Sequence, residues 1–548
     1  MAMDGGVSRR GALGGAGGEE AFGGGRGNVP PRHGAAGRDI PDDAGPSVTS
    51  QHAAAGEAPQ GRGLPVRRRG VVRGGLAGLA GVAAAELAPF SIGEAHATPR
   101  DPTAGPRATP DPLRATVARS GVRVGLVDFC RPPRSSSSGP HALLNFCYHA
   151  QDGQNRLFAN DSRGLIYQIN PATGATSLFL NLRGILGSRL VKVSRHEGLR
   201  SCAYPPDHAR AGTPGHRKFY TVSTETPSSY KGDVPLFAGD FPVLLHDVVA
   251  EWTVDGAGKA ITASRRELLR IARYRADHNA DQLMFDPNLR PGDDGYGAMY
   301  VTSGDGGNTN PGDPYNVAQN PRSALGKLLR VLPVRQPDGR PYGIPADNPF
   351  VGRATHLPEV WALGLRHPEN MCFDPGGDGR LVFTDIGQSN IEEVNLGVAG
   401  ANYGWPNREG TFVCDKDNAT ILYERGSGDA TKGYTYPVAQ YDHSDGRAVA
   451  GGFVYRGSKV PALVGHYLFG DIVNGRVFHV PVADLRPGRQ AAVKELTLLK
   501  GGEPVTLLQL CAPSTPPGRA DLRFGQDEGG DVFIITKQDG WIRKITAA

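Results

Sequence analysis

The stretch ADHNADQLMFD, residues 276–286, sets one histidine, His278, among acidic and amide residues just ahead of an apolar run. An imidazole with an ordinary pKa of about 6.5 is neutral at working pH and can take a proton from a hydroxyl, so His278 is a candidate general base. The competing reading is a polar loop residue. Arg366 and His367 stand before Pro368 in ALGLRHPENMCFDP (362–375). The proline holds the chain there extended or in a turn, and a guanidinium fixed this way suits an anionic oxygen through its planar fork of donors. In TDIGQSNIEEVNLGVAGANYGWPNREG (384–410), a glutamate precedes an NYGWP turn. A carboxylate, a main-chain carbonyl and a tyrosine oxygen are the hard ligands that calcium takes; the bland alternative is a packed Trp405–Pro406 corner. A fourth stretch, 303–331, crowds Asp305, Asp313, Asn316 and Gln319 onto a Gly/Pro loop. Oxygen ligation is one reading, but a loop held by its own Asx turns is the favoured one.

These stretches fall at the ends of short runs of β-formers. RLFAND (from 156), KFYTVST (218), AMYVTSGDGG (298), RLVFTDIGQ (380), HYLFGDIVNG (466) and DVFIITKQDG (531) each lead into a polar or glycine turn. Several are followed by a second such run, as in GLIYQI, GRVFHV and GWIRKI. Strand, turn, strand is an antiparallel hairpin. The units lie farther apart than the ~40–50 residues of common propeller repeats, which assigns the excess to loops. Repeated antiparallel sheets leave few exposed edges when they close into a propeller. The expectation is an all-β, six-bladed β-propeller over 120–548, with site residues gathered from several blades at one rim. Two β-sandwiches are the alternative, but no composition break marks a boundary. ASRRELLRIARY (263–274) mixes basic and apolar residues and reads as a strand edge or a short helix.

The 548 residues include 77 Gly and 44 Pro, which favour turns over long helices. The net charge of +5 owes much to arginines near the N-terminus, and no basic-aromatic stripe in the body points to nucleic acid. Residues 1–66 carry few apolar side chains and are expected to be disordered. Residues 67–97 read as an export signal: RRGVVR from Arg68 looks like a twin-arginine motif, and Ala95–Ala97 offer small residues for cleavage. Residues 98–119 read as a linker. A secreted or periplasmic chain with no membrane span in its mature part is the expectation. The six cysteines form no C-x-x-C pair; buried thiols and disulfides both remain open.

Taken in order, DHNADQLMFD, MYVTSGDGGN…GDPYNVAQN…ALGKLLRV, ALGLRHP, TDIGQSNIEEVN…GANYGWPNREG and GGFVYRGSKVPALVGHYLFGDIVNGRVFHV resemble the glucose/sorbosone dehydrogenase family, over about residues 190–545. The resemblance implies a six-bladed propeller that binds pyrroloquinoline quinone (PQQ) with calcium (Ca2+). It implies oxidation of a sugar substrate, with electrons passed to an external acceptor. It places the base at His278, and cofactor contacts at Arg366, His367, His196 and Arg519. It places metal-binding positions at Glu393 and Tyr403. His367 stands where the family has asparagine, and the lysine of the soluble glucose enzymes has no counterpart in FGDIVNGR. DIGQ…EEVN…NYGW and GGFVYRG are closest to the hedgehog-interacting-protein-like branch. That implies the alternative, a non-catalytic exported propeller binding carbohydrate or protein.

Overall fold

A computed structural model describes residues 101, 103–108, 111–192, 195–307, 310–512 and 517–548. The chain divides into two units, 1–90 and 91–548, and the described residues all belong to the second. The stretches read as disordered (1–66) and as an export signal (67–97) lie outside the described residues.

The second unit is strand-rich. Its strands fall, in chain order, into antiparallel groups of four; the second group carries a short parallel fifth strand, Leu236–Phe237, and three groups are joined edge to edge in one thirteen-stranded sheet. Their first strands are Leu144–His149, Leu199–Ala203, Ala280–Phe285, Asn370–Phe373, Val449–Val454 and Leu522–Gln526. Each first strand packs against the next, and the last packs against the first, so the six form a ring. The sixth group is completed by the chain's beginning: Ala118–Cys130 pairs antiparallel with Trp541–Ala547 and parallel with Lys494–Lys500. Ala104–Arg107, inside the stretch read as a linker, pairs with Leu422–Arg425 in a small extra sheet.

The sequence shows why these segments are strands. The six runs singled out in the sequence become, one per group, the second strands: Leu157–Asp161, Lys218–Glu225, Met299–Ser303, Leu381–Asp385, His466–Asp471 and Val532–Thr536. Second strands are covered on both faces and flanked on both edges, so they carry the most continuous apolar and β-branched runs. ASRRELLRIARY resolves as strand up to Arg273, in Ala260–Arg273, with Tyr274 just beyond its end. Its arginines are paired with carboxylates: Arg270 meets Glu225 on a neighbouring strand and Glu267 on its own, and Arg273 meets Asp247. Between groups lie apolar layers, for example Tyr220 on Phe285 and Tyr300 on Phe373, with ring centroids 5.5 and 5.3 Å apart. A fully buried ring of this kind contributes about 1.5–3 kcal/mol. All six cysteines are free, and five are buried. Among the described residues, no helix is long and apolar enough to cross a membrane.

Candidate active site

The ring of first strands has a polar interior. Arg200, Asp281 and Arg523 stand on the first strands of three different groups, and Glu369 stands just ahead of a fourth. Arg200 pairs with Asp281 and reaches Glu369 at 3.5 Å, and Arg523 donates to Glu369 at 2.7 Å. All four are buried. Buried charges persist only when paired, so this network ties four groups together on the inner side.

His278, Arg366 and His367, His196, and Arg519 each lie just before a first strand, at the strand starts. The turn holding His278 folds back on Gly304, where a Cβ would stand 2.4 Å from the His278 carbonyl oxygen. His278 itself is left-handed, with φ +46°, a conformation that side chains other than glycine adopt at a cost. Its Nδ1 lies 2.7 Å from Asp305 Oδ1. Asp305 is fixed in turn: it accepts from the Gly307 amide at 2.8 Å and from Trp405 Nε1 at 2.8 Å. A carboxylate facing Nδ1 selects the tautomer with its proton there and leaves Nε2 as the acceptor. Burial, followed by the charges of Arg366 and His367, pushes the His278 pKa down to about 4. The imidazole is therefore neutral at neutral pH.

Arg366 is brought beside this pair. Its carbonyl accepts from the Asp305 amide at 2.7 Å. Its guanidinium donates to Gln388 Oε1 and the Ile386 carbonyl and lies over Trp405 at 5.7 Å. His367 stacks on His278, with ring centroids 4.4 Å apart and planes at 16°. On its other side His367 Nε2 meets Asp281 Oδ2 at 2.6 Å. Burial opposes its charge, but Asp281, together with Glu369 and Asp277, raises its pKa. The result is a stacked pair in which each histidine has its own aspartate. The amides of Arg366 and His367 both donate to Asp385, at 2.9 and 2.6 Å.

The remaining predicted residues divide. His196 Nδ1 lies 3.0 Å from Asp277 Oδ1, next to His278 in sequence, so His196 joins the site at its exposed edge. Arg519 pairs with Asp521 at 2.6 Å, and Arg195 pairs with the same carboxylate. Glu393 and Tyr403 are not brought onto a shared ligand position. Glu393 accepts from the Gly410 amide at 2.6 Å and Asn395 Nδ2 at 2.9 Å. The Tyr403 hydroxyl donates to the Leu396 carbonyl and accepts from the Val398 amide. The turn that follows the Glu393 strand thus takes up the phenol. Glu392 points to the opposite face, toward His443 and the Val449 amide. Among the described residues no three His, Cys, Asp or Glu side chains are grouped to hold a metal.

Sequence reasoning missed Asp281, and it read Asp305 as a turn residue or oxygen ligand and Trp405 as a packed corner rather than as partners of His278. Asp281 was visible as a lone acid in a strand that is otherwise buried. Asp305 and Trp405 carried no local signal of their partnership with His278.

A histidine tied to a buried carboxylate, at one end of a ring of antiparallel sheets, defines a β-sheet protein equipped for proton abstraction. Residues 244–502 match the glucose/sorbosone dehydrogenase family, and over that range the chain carries a domain of this family. The solved soluble aldose sugar dehydrogenase from Escherichia coli shares the fold, with a TM-score of 0.53 at 19% identity, covering 78% of this chain and 100% of that structure. HIPL1 protein from Arabidopsis thaliana is 26% identical over 77% of this chain and 65% of its own length. Quinoprotein glucose dehydrogenase B from Acinetobacter calcoaceticus is 26% identical over 54% of this chain and 55% of its own. The chain thus spans less than two thirds of the length of either curated relative.

Proposed function

We propose that the protein is a sugar dehydrogenase that oxidises a CH–OH group of an aldose or related sugar, with His278 as the base. The six strand groups are the blades of a six-bladed propeller, a reading supported by the ring of first strands. The observation that carries the function is the Asp305–His278 pair. Asp305 holds the Nδ1 proton, His278 Nε2 accepts the proton of the sugar hydroxyl, and the ion pair formed is stabilised by the carboxylate. Trp405 and the Gly307 amide keep Asp305 from turning away.

A planar polyanionic quinone fits the donors present. Arg195, Arg366, Arg519 and Arg523 gather near the strand starts, and the buried Arg523 Nε has no hydrogen-bond partner among the described residues. Arg366, His367, His196 and Arg519 would hold PQQ. When bound, the quinone supplies the two-electron acceptor, which an external acceptor then reoxidises. Calcium fits poorly at Glu393 and Tyr403. Calcium takes about 6–8 oxygens, and this pair offers one carboxylate and a phenol already engaged with backbone. Export, with residues 67–97 as the signal, belongs to the same reading.

The experiment is His278→Gln in protein supplied with PQQ. Sugar-dependent dye reduction should fall roughly 10²–10⁴-fold with an unchanged melting temperature; unchanged turnover removes His278 from the mechanism. One observation favours a second reading, a non-catalytic propeller that binds carbohydrate or protein. His367 covers one face of His278 at 4.4 Å, where the family's asparagine would leave more room. Absence of PQQ-dependent turnover in the unaltered protein decides for that reading.

A further inference from the structure

Beside the His278 pair lies a feature that the reaction does not use. Phe241, Tyr274 and Tyr315 form a mutual cluster, with ring centroids 4.8–5.5 Å apart. The cluster borders a cavity of about 420 Å³, lined also by Asp240, Asn320 and Arg322. That size lies within the roughly 300–1,000 Å³ of small-molecule sites. Two of the rings are held rigidly against glycine. A Cβ on Gly239 would stand 2.1 Å from the Phe241 ring, and one on Gly306 would stand 2.5 Å from Tyr274. Gly306 directly follows Asp305, so the Tyr274 ring packs on the loop that orients the base.

Two observations mark the cluster as a binding surface. Tyr315, which lines the cleft together with Phe241, is 42% exposed, an open aromatic face beside a cavity. The Tyr274 hydroxyl is buried and has no hydrogen-bond partner among the described residues. Aromatic faces edged by carboxylate, amide and guanidinium groups match a pyranose, which has apolar C–H faces and a belt of hydroxyls.

We propose that Phe241, Tyr274 and Tyr315 form a subsite for a second sugar ring, so that the substrate is the end of an oligosaccharide rather than a free monosaccharide. The proposal rests on the sugar-dehydrogenase reading for the position of the reacting ring. The first ring sits over His278, and its neighbour in the chain lies on the Tyr315 face. Asp240 and Asn320 receive the hydroxyls of the second ring, and Tyr274 backs the Phe241 and Tyr315 rings.

The test is calorimetric binding of maltotriose, cellotriose and xylotriose, each against its monosaccharide, to the full chain without turnover. At least one trisaccharide should bind more tightly than its monosaccharide by about tenfold, the value of one aromatic contact. Tyr315→Ala should bring that ratio close to one, whereas Tyr315→Phe, which keeps the ring, should preserve it. Tyr315 is substantially exposed, so its loss opens no core, and melting curves of both variants check the fold. Equal binding of trisaccharide and monosaccharide overturns the proposal, as does a ratio that survives Tyr315→Ala. Dye reduction with the same sugars separates the two readings. Turnover without chain-length preference removes the subsite and keeps the dehydrogenase. Preference abolished by Tyr315→Ala, without turnover, keeps the subsite and removes the dehydrogenase.

Discussion

Replacing His367 by asparagine should move the pH dependence of the base. In the structure, the Asp281 carboxylate favours the charged form of His367 against the opposing effect of burial, and the His367 ring lies 4.4 Å from His278. A charge at that separation acts on its neighbour by about 4 kcal/mol at an effective dielectric of about 20, and by about 1 kcal/mol in bulk water. One pKa unit is about 1.4 kcal/mol, so the two limits bracket a shift of roughly 1–3 units. His278 starts from about 4, lowered by burial first and then by Arg366 and His367. Removing His367 leaves burial and Arg366 in place, so the pKa rises but should not exceed its ordinary value by much. The base works only when neutral, so the acid limb of kcat/KM for sugar-dependent dye reduction should move upward by that amount in His367→Asn. Nuclear magnetic resonance of histidine labelled with ¹³C gives the same pKa without turnover. An acid limb and a His278 resonance that titrate at the same pH in both proteins would refute the electrostatic argument.

Three further outcomes follow from the same structure. Burial and the nearby Asp385 push the Glu393 carboxyl up to about 8, so the folded protein carries it neutral below that pH and loses stability as pH rises through it. In thermal melts Glu393→Gln should therefore gain on the parent between pH 5 and pH 9, and a difference that stays flat with pH counts against this. Lys327 is fully buried and donates to the carbonyls of Val317, Ala318 and Leu325 at 2.7–2.9 Å, so Lys327→Met should cost about 3 kcal/mol or more in urea unfolding. A loss below about 1 kcal/mol would mean that water replaces the ammonium there. Trp405→Phe removes the donor that fixes Asp305, and should lower kcat about tenfold with KM little changed; a change confined to KM would place Trp405 in substrate binding instead.

The strand pattern was legible because it is local. Each second strand announces itself by a run of β-formers ending in a turn, and those six runs fell one to a group. His278 and Arg366 were legible as types in unusual settings, and the ring of strand starts brings them together. Asp305 was not. Within its loop it looks like a turn residue, and it does cap the Gly307 amide. Its link to a histidine 27 residues earlier depends on strands Ala280–Phe285 and Met299–Ser303 lying side by side, which no local spacing encodes. The hydrogen bonds of the Tyr403 phenol were hidden for a related reason. Whether a phenol is available depends on which carbonyl the following turn presents, and here the turn at Leu396 presents one.

The pairing of Ala118–Cys130 with Trp541–Ala547 joins the two ends of the described chain across more than four hundred residues of synthesis. This thirteen-residue strand is made early, but its antiparallel partner follows only after some four hundred further residues. Through that interval it presents unpaired backbone groups, and such edges recruit other strands. Assembly thus cannot finish progressively along the chain; the final group has to wait until Trp541–Ala547 has been made. A truncation ahead of Trp541 would spare every residue around His278 and still leave a waiting edge unmatched. Quality control of this fold therefore reads the strand that arrives last to its sheet.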